Sequence, residues 1–153
     1  MTWPPDYLKL HKLRLYNLFL TASLVFMQIL ISTRPGGFSL SQECLDALFS
    51  RAPEFFDGPF EMDSFSTAGV FELSQWPNAV LHEGRLFFLL TSHPGVRQDP
   101  MLLHKLQTQG SAALVGPYCS SLKAVEVPDG VAWHIFEYED GSEAVHENHR
   151  VWS

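Results

Sequence analysis

The sequence predicts an α+β protein: a long apolar N-terminal helix, a short second helix, then a mostly antiparallel sheet with one more helix. Three observations carry this. The run LYNLFLTASLVFMQILIST, residues 15–33, lies uncharged between Arg14 and Arg34. Two later segments have helix start and stop residues at the right spacing. The remaining apolar segments are short and punctuated by Glu-Gly, Asp-Gly and Pro.

Residues 15–33 match the roughly 20 apolar residues that a membrane-spanning helix needs. Lys9, Lys12 and Arg14 precede the run against a single Asp6, and Arg34 alone follows it. That bias predicts a membrane location with the N-terminus cytoplasmic and the body on the far side. No small-x-small pair lies near STRPGG, so an uncleaved anchor fits better than a removed signal peptide. Asn17, Thr21 and Gln28 fall on one helical stripe, with Leu24 filling the gap. Amides in lipid are costly unless paired, so the stripe suits a membrane helix that faces a partner. The alternative is a soluble cytoplasmic protein in which this helix fills the core. Pro35-Gly36-Gly37 closes the segment as a hinge. Residues 1–37 are thus expected as a basic head with its helix, and 38–153 as a small acidic α+β domain.

In the body, Ser39 to Gln42 has capping-box form and ECLDALFSR reads as a helix ended by Pro53. Leu40, Cys44, Ala47 and Leu48 are expected on its inner face. PEFFDGPFEMDSFS reads as an aromatic loop. AGVFELS reads as a strand, and NAVLHEGRLFFLLTS as a hairpin turning at Glu83-Gly84. Asp99 and Pro100 open the helix MLLHKLQTQ, and Gly110 closes it. SAALVGPY and LKAVEVP read as strands. VAWHIFEY-EDGS-EAVHENHRVW is a hairpin about Asp140-Gly141.

Composition narrows the function. The formal net charge of −7 argues against nucleic-acid backbone binding and favours a basic partner. No glycine-rich phosphate loop and no nucleophile elbow occur, and no cofactor is expected. Cys44 and Cys119 lack zinc spacing; they are either buried thiols or one disulfide.

The C-terminal hairpin has three histidines, His134, His146 and His149. A two-residue turn would set His134 opposite Glu147, with His149 on the same face, as a possible metal or acid–base group. A bulge at Gly141 would set His134 opposite His146 instead.

The function expected is a non-enzymatic accessory protein that docks on a protein partner, possibly a membrane complex. Homo-oligomers are compatible with it. Asn17, Thr21 and Gln28 would face a partner helix. Phe55, Phe56, Phe60, Phe65 and Trp76 would form an extramembrane contact, since aromatic residues dominate interface energetics. Two alternatives differ in kind. One is a soluble inhibitor or immunity-type protein that blocks a basic site. The other is a metal-binding or hydrolytic protein built on His134, Glu147 and His149.

Overall fold

The computed structural model describes residues 26–64 and 72–148. Among these residues all strand pairs are antiparallel, forming three small sheets, with two ten-residue helices.

The apolar run does not continue as a helix to Thr33. Its last part is strand β1, Phe26–Ser32, paired with β5, Leu122–Pro128, in the register Phe26↔Pro128 to Ser32↔Leu122. Ile29, Leu30, Ile31 and Ser32 are all buried, so neither face shows a polar alternation. A strand covered on both faces and a buried helix look alike as apolar runs. The pairing with β5 decides between them, and nothing near β1 in the chain announces it. Only the eleven uncharged residues 15–25 precede the strand, about half of what a spanning helix needs. Among the described residues no helix is long and apolar enough to cross a membrane. The single-pass transmembrane reading of residues 15–33 is corrected accordingly. Asn17 and Thr21 lie outside the described residues. Gln28 is an exposed strand residue opposite Glu126.

Helix α1 spans Gln42–Arg51. Ser41, not Ser39, caps it, its Oγ accepting from the Cys44 N–H at 3.3 Å. Its buried face carries Cys44, Leu45 and Leu48, while Ala47 is exposed. Beyond Ala52 the chain makes one 3₁₀ turn, Pro53–Phe55, and enters β2, Phe56–Glu61, where a loop was expected.

Strands β3, Ala79–His82, and β4, Arg85–Leu89, form the expected hairpin. Glu83 and Gly84 both have positive φ, at 51° and 75°, as a type I′ turn requires. The sheet order is β2-β4-β3. Leu73–Gln75 is a 3₁₀ turn, so the strand expected over 68–74 does not extend through its described end.

A single helical turn, α2 (Pro94–Arg97), leads to α3 (Pro100–Gln109). Asp99 caps α3 through Leu102 N–H at 3.0 Å, and Gly110 ends it with φ 83°, as the sequence predicts. The strand expected at SAALVGPY reduces to a 3₁₀ turn, Ser111–Ala113, and one bridge, Leu40↔Val115.

The main core joins Leu30, Leu40, Leu45, Leu48, Val80, Leu102 and Leu114, all 3% exposed or less. Burying each such side chain contributes about 1.5–3 kcal/mol.

Among the described residues, β6 (Trp133–Glu137) and β7 (Glu143–Glu147) pair only with each other. Polar contacts attach them to the body. The Glu143 carboxylate accepts from Ser32 N–H at 2.8 Å and from both terminal nitrogens of Arg97, at 2.7 and 2.9 Å. Arg97 also donates to the carbonyls of Thr91 and Leu30, and its guanidinium lies 3.7 Å from the centre of the Phe38 ring. At the hairpin tip, Gly36 N–H donates to Asp140 O at 3.0 Å.

Candidate functional site: an apolar cleft and an aromatic–histidine face

The first candidate is a cleft of about 340 Å³ at the N-terminal end of α1. Leu40, Leu45, Leu73, Trp76 and Pro117 supply apolar wall, and Gln42 and Asn78 add two amides. Asn78 follows Pro77 and has φ 61°, a left-handed turn that asparagine tolerates. The turn aims its amide inward. Oδ1 accepts from Leu40 N–H at 3.0 Å, and Nδ2 donates to Phe38 O at 2.9 Å. These two bonds fix the cleft wall. Gln42 is held at the rim, with Nε2 donating to Asp46 Oδ1 at 2.9 Å and Ala79 O at 3.2 Å. Close backbone packing also holds Leu40 in place. A Cβ on Gly116 would lie 2.2 Å from the Leu40 carbonyl oxygen, and Tyr118, just past Pro117, is 70% exposed.

The second candidate is the outward face of β6–β7. Tyr138 O accepts from Gly141 N–H, and Tyr138 N–H donates to Ser142 O, with Gly141 at φ 87°. This is a type I turn with a glycine bulge. It sets His134 opposite His146, and Trp133 opposite Glu147. Side chains alternate across a strand. His134, Phe136 and His146 therefore share the exposed face, and Glu147 lies on the other. Phe136 stacks on His146 with centroids 4.7 Å apart and an interplanar angle of 2°; Tyr138 meets Phe136 edge-on at 5.0 Å. In the turn, Asp140 accepts from the Ser142 hydroxyl at 2.5 Å and from the Ser142 N–H at 2.9 Å. The hydroxyl first, then the N–H, hold its carboxyl below the ordinary aspartate value.

The expected site residues are scattered. Phe56 is a core residue, 8% exposed, edge-on to Phe49 at 5.1 Å. Phe55 is partly buried against His93. Phe60 rests by Phe88 at 5.7 Å, and Phe65 lies outside the described residues. Of the described members of the expected aromatic group, Trp76 alone lines the cleft. The bulge separates His134 from Glu147, and His149 lies outside the described residues. Cys44 and Cys119 are both free and buried, each thiol near a backbone carbonyl, Ala113 O and Ser121 O. Leu40, Gln42, Leu45, Leu73, Asn78 and Pro117 were not anticipated at the cleft. The Pro77-Asn78 pair is a turn signal that could have pointed to it.

No protein-family model matches the chain, and neither a curated protein nor a solved structure is significantly similar to it.

Proposed function

We propose that this chain is a non-enzymatic interaction protein whose acidic body captures a basic segment of a protein partner. One apolar side chain of that segment seats in the Trp76 cleft. The observation that carries this reading is an apolar pocket on a strongly acidic body. Residues 26–148 hold sixteen Asp and Glu against six Lys and Arg. Four of those six cations lie close to carboxylates within the chain. Arg97 and Arg51 bond Glu143 and Asp99, while Arg85 and Lys105 lie 3.6 and 3.5 Å from Glu61 and Glu43. The uncompensated field is negative, and it favours and accelerates the approach of a cationic partner. The apolar side chain in the cleft then supplies affinity that charge alone does not.

A displayed library of random twelve-residue peptides tests this. Selection on the full chain is expected to enrich peptides that combine Lys or Arg with one large apolar residue. Their affinity should fall with added salt and be lost in Trp76→Ala. Peptides that bind Trp76→Ala as well as the parent chain would overturn the cleft as the docking site.

A further inference from the structure

We propose that His134 and His146 bind a late first-row divalent ion, Zn²⁺ or Cu²⁺, on the outward face of the β6–β7 hairpin. The inference is independent of the cleft. It begins with the bulge at Gly141, which makes the two histidines direct cross-strand neighbours. The ladder places them in a hydrogen-bonded pair. Tyr138 N–H bonds Ser142 O and Asn148 N–H bonds Ala132 O, and counting by twos between these bonds reaches His134–His146. Backbone bonding therefore fixes their separation at its base.

The ring chemistry fits a ligand pair. His134 Nδ1 bonds to Asn148 Oδ1. An amide oxygen only accepts, so the tautomer that makes this hydrogen bond is the one protonated on Nδ1, which leaves the Nε2 lone pair for an ion. A ligating histidine commonly has this support, one ring nitrogen donating to a fixed oxygen while the other faces the ion. Asn148 is itself held by its backbone bond to Ala132 O at 2.8 Å. The His146 ring packs by its face against Phe136, a contact that does not engage the nitrogens at its edge.

The spacing fits too. The two ring centroids are 5.6 Å apart. Two imidazoles bound at about 2.0–2.1 Å to one tetrahedral ion put their centroids about 5 Å apart. The interplanar angle of 73° is no obstacle, because a ring can turn about its metal–nitrogen bond. Imidazole suits zinc and copper, with copper the tighter of the two. Residues 133–148 include five Asp and Glu and no Lys or Arg; Glu137, Glu143 and Glu147 lie on the other face and Glu143 is paired with Arg97, so their charge is a background to the site and not part of it. Two protein ligands leave the remaining positions to water, so the expected site is open.

Isothermal titration of the untagged full chain with Zn²⁺, and separately with Cu²⁺, tests the proposal. Saturable one-to-one binding is expected, tighter for Cu²⁺. It should be lost in His134→Ala and in His146→Ala. Asn148→Ala, which removes only the orienting oxygen, should weaken it about tenfold or more. His104→Ala, an exposed histidine on α3, should leave it unchanged. On NMR, Zn²⁺ should shift the ring signals of His134 and His146 together. Absence of saturable binding, or binding that survives loss of either hairpin histidine, would overturn the site.

Discussion

Arg97 and Glu143, 46 positions apart, meet as a two-pronged ion pair that is almost wholly buried, with N–O distances of 2.7 and 2.9 Å. Through it the C-terminal hairpin is joined to β1 and to the turn α2. Arg97→Met leaves the carboxylate buried with only the Ser32 N–H for a partner. Loss of one member of a buried pair costs about 3–5 kcal/mol. Adding Glu143→Leu removes the stranded charge and should recover part of that loss. Recovery should stay incomplete, because Thr91 O, Leu30 O and Ser32 N–H lose partners as well, at about 1–3 kcal/mol for each buried group left unpaired. Urea denaturation of the two single variants and the double variant measures the coupling. Simple additivity of the two losses would show that the pair does not act as a unit.

Phe56 and Trp76 separate core from surface. Phe56 is buried in β2, opposite Leu89 and with its ring edge-on to Phe49, so Phe56→Ser should cost about 3–5 kcal/mol, as large-to-small core changes do. Trp76 is half-buried at the cleft wall. Trp76→Ala should retain the cooperative unfolding transition while losing peptide capture. Thermal melts of both variants, read beside peptide binding, make the comparison. Near-native stability in Phe56→Ser would place that ring outside the core.

Much of the body is legible in the sequence, because its signals are local. Glu83-Gly84 dictates a primed turn, Asp99-Pro100 opens α3 and Gly110 stops it, and Asp140-Gly141 nucleates the last hairpin. Each depends on a backbone preference that a few residues carry. What is not legible depends on partners distant in the chain. Phe26–Ser32 becomes a strand because β5 lies beside it, and an unbroken apolar run cannot announce that. Phe56–Glu61 becomes a strand because β4 offers an edge, despite Gly58 and Pro59 in its middle. The cleft draws Leu40, Leu73, Asn78 and Pro117 from four separate segments. In the hairpin, one residue of register decides whether His134 faces Glu147 or His146. The Asp-Gly pair permits both turns.

Gly36 is the tightest point where the hinge, the 117–119 loop and the hairpin tip converge. It has φ 121°, and a Cβ there would lie 1.7 Å from the Tyr118 carbonyl oxygen. Gly36→Ala must therefore open the loop as well as strain its own backbone. The expected loss is about 1–3 kcal/mol from the backbone conformation alone. Gly37→Ala is the control: its φ is also positive, at 80°, but open space surrounds its Cβ position. A larger fall in melting temperature for Gly36→Ala than for Gly37→Ala is expected. Equal falls would rule out the contact as the cause.

Asp140 gives the hairpin a defined acid limb. The Ser142 hydroxyl and N–H favour its charged form, so its folded pKa lies below the ordinary 3.8. A carboxyl lowered on folding adds stability above its unfolded pKa. It loses that stability as pH falls through the folded value, so the change lies below about pH 4. The group is fully exposed, and the effect is local to the turn. An NMR titration of the Asp140 carboxyl should give a midpoint below that of an unstructured aspartate. In Ser142→Ala, which removes the first of the two donors, the midpoint should move back up. An unchanged midpoint in that variant would remove the hydroxyl as the principal cause.

Asp99 serves two elements with one carboxylate. Oδ2 caps α3 through Leu102 N–H, and Oδ1 accepts from Arg51, at the end of α1, at 2.5 Å. The two bonds are unequal in value. The cap lies in a buried setting, and its loss costs about 0.5–2 kcal/mol. Arg51 is nearly half exposed, so solvent screens its share and holds it to about 1 kcal/mol or less. Asp99→Ala, which loses both, should therefore destabilise more than Arg51→Ala. Asp99→Ser keeps a capping oxygen but not the ion pair, and should fall between them. Added salt should narrow the gap between the parent chain and Arg51→Ala while leaving the deficit of Asp99→Ala mostly in place, because screening weakens the exposed pair and not the cap. Equal losses in Arg51→Ala and Asp99→Ala would assign the role of Asp99 to the bridge between the helices rather than to the start of α3.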